Sequence, residues 1–104
     1  MPVVFEKNLH KLKDEFSYAT QVVAPDDVME RVIERLDFLY NVFMPPMKIV
    51  KDEGQPSVYH VYTNEGKEEW VVGFIMKVMD DLGIGYTKHE DEWGRVVSIN
   101  VTHS

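Results

Sequence analysis

The sequence predicts an α+β domain: an antiparallel sheet of about four strands with helices packed on one face, in the element order ααββαββ. Three observations predict it. Apolar residues recur at helical spacing in three long stretches. Short runs rich in β-branched and aromatic residues come in two pairs, each pair separated by a turn-forming segment. The 104 residues, 44% of them apolar and 12% aromatic, suffice for one core, so residues 1–104 read as a single domain.

The first helix rests on Phe5, Leu9, Leu12 and Phe16, at i, i+4, i+7 and i+11, with Glu6, Lys7, His10, Lys11, Lys13 and Asp14 on the opposite face. It extends through "YATQVVA" and stops before Pro25. An alternative reads "PVVF" as a short edge strand ahead of it. The second helix opens on Pro25, Asp26 and Asp27, where a fixed φ and carboxylates suit unpaired backbone N–H groups. Val28, Met29, Val32, Ile33, Leu36, Leu39, Tyr40 and Phe43 form its apolar stripe, and Pro45-Pro46 ends it.

"MKIV" and "SVYHVYT" then read as strands around "KDEGQP". In "NEGKEEWVVGFIMKVMDDLG" the pairs Trp70/Val71, Phe74/Ile75 and Val78/Met79, with Leu82, restore helical spacing, and this places Trp70 in the core. Gly83 is a natural C-terminal cap, with Ile84 behind it for the hydrophobic contact. "IGYTKH" and "RVVSINVTH" form a final hairpin around "EDEWG". Val97, Ile99 and Val101 alternate there with Ser98, Asn100 and Thr102, one buried face and one wet.

Composition excludes several functions. Without cysteine there is no disulfide scaffold, no thiolate metal site and no cysteine nucleophile. No basic-plus-apolar leader and no apolar stretch of membrane-spanning length are evident, so a cytoplasmic protein with no membrane partner is expected. The net charge is −7, from 18 acidic and 11 basic side chains, and the bases are scattered among acids. Such a surface repels phosphate backbones, so direct nucleic-acid binding is disfavoured, while a basic protein partner is not.

The acids concentrate in three places. Asp26 to Asp37 holds five acids against two arginines, Glu65 to Asp81 five against two lysines, and Lys88 to Arg95 three against two bases. Glu30, Glu34 and Asp37 share one helical face at turn-to-turn spacings of about 5–6 Å. That is close to the phosphate spacing a DNA mimic would copy, although Arg31 and Arg35 lie in the same helix and Asp27–Arg31 is ordinary i, i+4 support.

In "KHEDEWGR" His89, Glu90, Asp91 and Glu92 are metal-ligand types, but neighbours on a strand point to opposite faces, so the segment reads as a hairpin tip. Trp93 either folds back as core, the commoner outcome, or stands out as an anchor for another protein. His60 and His103 fall on strands and could meet if those strands were neighbours. No nucleophile elbow and no phosphate loop occur, and no cofactor is expected.

The reading with most support is a small acidic interaction domain, an inhibitor or adaptor that occupies a partner's surface through Glu30, Glu34, Asp37, Glu90, Asp91, Glu92 and Trp93. Such composition suits phage or mobile-element proteins, and a homodimer would be compatible with the apolar content. The alternative is a ligand-binding or enzymatic domain with its site on the open sheet face, where His60, Tyr59 or Tyr62, Tyr86 and His103 would converge.

Overall fold

The computed structural model describes residues 3–7, 16–39 and 45–103. They form β1 (Val3–Lys7), β2 (Ser17–Val23), α1 (Asp26–Leu39), β3 (Met47–Lys51), β4 (Val58–Thr63), α2 (Glu68–Asp81), β5 (Gly85–Glu90) and β6 (Val96–His103). One six-stranded sheet runs in the order β1-β3-β4-β2-β6-β5. Every neighbouring pair is antiparallel except β2 and β6, which are parallel.

This corrects the expected architecture. The order is ββαββαββ rather than ααββαββ, and the sheet has six strands and mixed pairing instead of four antiparallel strands. The error lies in the first helix. Phe5 is buried on β1, an edge strand, as the "PVVF" alternative had it, while Leu9 and Leu12 lie outside the described residues. "SYATQVV" is a strand between β4 and β6, and Thr20 and Val22 are both fully buried. Its β-branched residues and its place between two partners outweigh the accidental helical spacing of Phe5 and Phe16.

Both helices lie on the same face. Register puts Phe5 with Ile49, Ile49 with Val61, Val61 with Thr20, and Tyr59 with Val22, which itself pairs with Ile99. Phe5, Val22, Ile49, Tyr59, Val61 and Ile99 meet Val28, Met29, Val32 and Leu36 of α1 and Val71, Val72, Ile75, Val78 and Met79 of α2 in a single core, with Thr20 also buried. Burying each such side chain contributes roughly 1.5–3 kcal/mol, which holds two helices of modest intrinsic stability on the sheet.

Local chemistry sets the helix ends. At the start of α1, Asp26 accepts from Lys51 Nζ at 2.7 Å and from the Tyr59 hydroxyl, so the helix is tied to β3 and β4. α2 closes as expected at Gly83, whose φ is 71°. The Ile84 N–H donates to Met79 O at 2.9 Å and the Gly83 N–H to Asp80 O at 3.1 Å, the paired bonds of a Schellman motif, with Ile84 and Met79 both buried. No helix among the described residues is long and apolar enough to cross a membrane.

Candidate functional site

The hairpin tip is built around one carboxylate. The Asp91 N–H donates to Arg95 O, and Asp91 O accepts from the Gly94 N–H. Asp91 Oδ1 accepts from the backbone N–H groups of both Trp93 and Arg95, each at 2.9 Å. Gly94 takes a φ of 78°. Together these make a type I turn followed by a left-handed glycine, for which Asp-Glu-Trp-Gly is well suited: aspartate at the first position and glycine at the fourth. Asp91 is therefore occupied by the turn, and the turn has one shape.

That shape displays Trp93. Trp93 is 72% exposed, against the expectation of core, with the Arg95 guanidinium 5.7 Å from its ring centroid. Glu90 is exposed and ion-paired with Lys88 at 3.3 Å, and Glu92 is exposed. Trp70 also departs from expectation. It is 49% exposed on the outer side of α2, stacked on Phe74 with Lys67 over its ring, because residue 70 lies a step outside the stripe of Val71, Val72 and Ile75.

A cleft opens beside the tip. β2 and β6 pair only at Gln21–Ser98, Val22–Ile99 and Val23–Asn100. Before that point each strand is bulged against its other neighbour, β2 between Tyr18 and Thr20, and β6 opposite His89 and Glu90. The two strands diverge there, as bulges dictate. The gap is a cavity of about 640 Å³ between Ser17–Ala19 and Val96–Val97, with Val72 and Met76 of α2 also lining it. Glu68, Glu69, Asp91 and Arg95 line its rim.

Glu68 clamps this end. Its Oε2 accepts from Ser17 Oγ at 2.5 Å and its Oε1 from the Gly66 N–H at 2.7 Å. The Ser17 hydrogen bond, helped by backbone N–H groups and the Arg95 charge, holds its carboxyl below the usual range. The start of β2 is thus tied to the start of α2.

The α1 acids lie elsewhere. Ion pairs Lys51–Asp26 and Lys7–Asp37, at 2.7 and 2.8 Å, set α1 over the β1–β3 side of the sheet, whereas the tip belongs to β5–β6 at the opposite edge. Glu30 and Glu34 are exposed, and Arg31 and Arg35 share a shallow groove with Glu34, Asp37 and Phe38. The sequence-predicted acids therefore form two separate surfaces.

The open face of the sheet carries a different constellation. His60 and Tyr62 share it, while Tyr59 and Tyr86 lie on the helix side. His103 is at the end of β6 opposite Gly85, and β2 stands between β4 and β6, so His60 and His103 are not on neighbouring strands. His60 is instead joined to Tyr18 and Asp52, neither of which the sequence reading singled out. Tyr18 Oη lies 3.0 Å from His60 Nδ1, and His60 Nε2 lies 2.8 Å from Asp52 Oδ1. Asp52 Oδ2 accepts the N–H groups of Gly54 and Gln55 at 2.9 and 2.8 Å. The His60 hydrogen bond, then these backbone bonds, hold the Asp52 carboxyl below its ordinary value. Tyr18 and Tyr62 meet edge to face, with centroids 5.4 Å apart.

Comparison with known proteins supplies no relative: no family model matches the chain, and no curated protein and no solved structure matches it significantly.

Proposed function

We propose that this chain is a small acidic interaction domain, an inhibitor or adaptor, that docks on another protein through the end where the β5–β6 tip, the start of α2 and the bulged cleft meet. The observation that carries this reading is Trp93, 72% exposed on a turn locked by Asp91. A large aromatic on a turn whose backbone is already fixed costs little backbone freedom on binding, and such residues dominate interface energetics. The exposed carboxylates of Glu69, Glu90 and Glu92 favour a partner surface that is basic around an apolar pocket. The α1 acids support docking less, because Asp37 is paired with Lys7 and arginines interleave the rest.

The test is capture of partners from cells with the wild-type chain, Trp93→Ala and Trp70→Ala. A partner retained by wild type and Trp70→Ala and lost from Trp93→Ala, with affinity reduced about 30-fold or more, is the expected result. Equal retention by Trp93→Ala would overturn the reading.

A further inference from the structure

The hydrogen-bonded chain on the open face shares Tyr18 with the lining of the cleft and has the connectivity of an activated nucleophile: hydroxyl, base, and a third group that orients the base. The proton positions follow from the donors. Asp52 is ionised and can only accept, so His60 Nε2 carries a hydrogen toward it. When the ring is neutral that tautomer has a bare Nδ1, and that atom takes the Tyr18 O–H. Asp52 is itself fixed by two backbone N–H groups of its own turn, so the imidazole plane is set from β2 and from the β3–β4 turn at once.

Tyr18 is 47% exposed, and both helices among the described residues pack on the other face of the sheet. Burial, followed by the charges of Tyr62 and Asp52, pushes its phenol up, so no standing phenolate is present near neutral pH. A reaction at this oxygen therefore needs its proton removed during attack, which is what the bare Nδ1 is placed to do.

We propose that Tyr18 is a nucleophile served by His60, a site at which the chain takes an acyl group from an activated aryl ester. Tyr18 Oη bonds to the ester carbonyl carbon as its proton passes to His60 Nδ1. Collapse of the tetrahedral intermediate breaks the bond to the leaving oxygen, which departs as an aryloxide. O-acyl-Tyr18 and an imidazolium held by the Asp52 carboxylate remain, and the imidazolium returns its proton to solvent. Tyr62, edge-on to Tyr18, supplies an aromatic neighbour for the aryl group. Asp52 is a positioning residue in this scheme.

The experiment treats the full chain with p-nitrophenyl acetate and maps acetylation at each tyrosine by mass spectrometry against time. Acetylation at Tyr18 is expected to outpace that at Tyr62 and Tyr86 by on the order of 10²-fold, the usual contribution of a placed base. His60→Phe and His60→Gln are each expected to bring Tyr18 down to the rate of the other tyrosines, with the circular dichroism of a folded chain retained by at least one of them. Tyr18→Phe is expected to abolish the fast release of p-nitrophenolate. Tyr18 acetylated no faster than Tyr62, or unaffected by a folded His60 variant, overturns the proposal. So does fast p-nitrophenolate release that persists in Tyr18→Phe, since His60 would then be the nucleophile itself.

Discussion

Two acid-rich regions, the outer face of α1 and the β5–β6 tip, look alike in composition and differ in what their carboxylates do. On α1 the first and last acids are tied to strands: Asp26 to Lys51 and Tyr59, Asp37 to Lys7. They fasten a helix to a sheet. At the tip Asp91 binds backbone N–H groups of its own turn, and the effect is to hold an aromatic ring out in solvent. Counting acids locates both regions and ranks neither; the partners of each carboxylate distinguish a fastening from a presented surface.

The largest expected effect separates the two regions directly. Trp93→Ala weakens partner binding about 30-fold or more, whereas Glu30→Lys with Glu34→Lys changes it less than about 3-fold, the scale of exposed charges screened by salt. Titration calorimetry on the captured partner measures both. Comparable losses from the two variants would merge the surfaces.

Asp91→Ala comes next. It leaves Trp93 in place and removes the acceptor of two backbone N–H groups, so binding should fall about 10-fold and chemical denaturation should show a loss of about 1–2 kcal/mol. If binding is unchanged, the ring needs no locked turn.

Acid sharpens the contrast further. Asp26 is held below the usual carboxylate range by Lys51 and then Tyr59, Asp52 by His60, and Glu68 by Ser17. A carboxyl whose folded value is depressed contributes stability above its unfolded value, near 4, and loses it as pH falls through the folded value. Thermal unfolding from pH 6 down to pH 2 should therefore show a falling melting temperature below about pH 4. Glu68→Gln should make that fall shallower. Tyr59 carries the opposite sign: burial, and then Asp26, push its phenol up, so its contribution holds below the unfolded value near 10 and is lost only in strong alkali.

The smallest effect concerns the β3–β4 turn, where Ser57 has a φ of 63° and its carbonyl accepts from the Ala24 N–H at 2.8 Å. Ser57→Gly relieves a left-handed serine and should raise stability by roughly 0.5–1 kcal/mol in a denaturant titration.

Legibility in the sequence followed the range of the interactions. The "EDEWG" tip, the α1 start at Pro25–Asp27 and the Gly83–Ile84 cap were readable because each is decided within about five residues. β1 and β2 were not. The spacing of Phe5, Leu9, Leu12 and Phe16 mimics a helix face, and only pairing with β3, β4 and β6 makes strands of the described parts. With Tyr18 assigned to a helix, its meeting with His60, 42 residues away, had no local signal. His60 was visible as a candidate; its partners were not. The exposure of Trp93 was equally non-local, since it depends on how β5 and β6 sit at the edge of the sheet.

The most direct test of the docking account is site-specific photo-crosslinking in cells, with a benzophenone side chain placed at position 92, beside an intact Trp93, in one variant and at position 30 in another. The account predicts a discrete adduct with one protein from position 92 and none with that protein from position 30. An adduct of equal yield from position 30, or no discrete adduct from position 92, would contradict it.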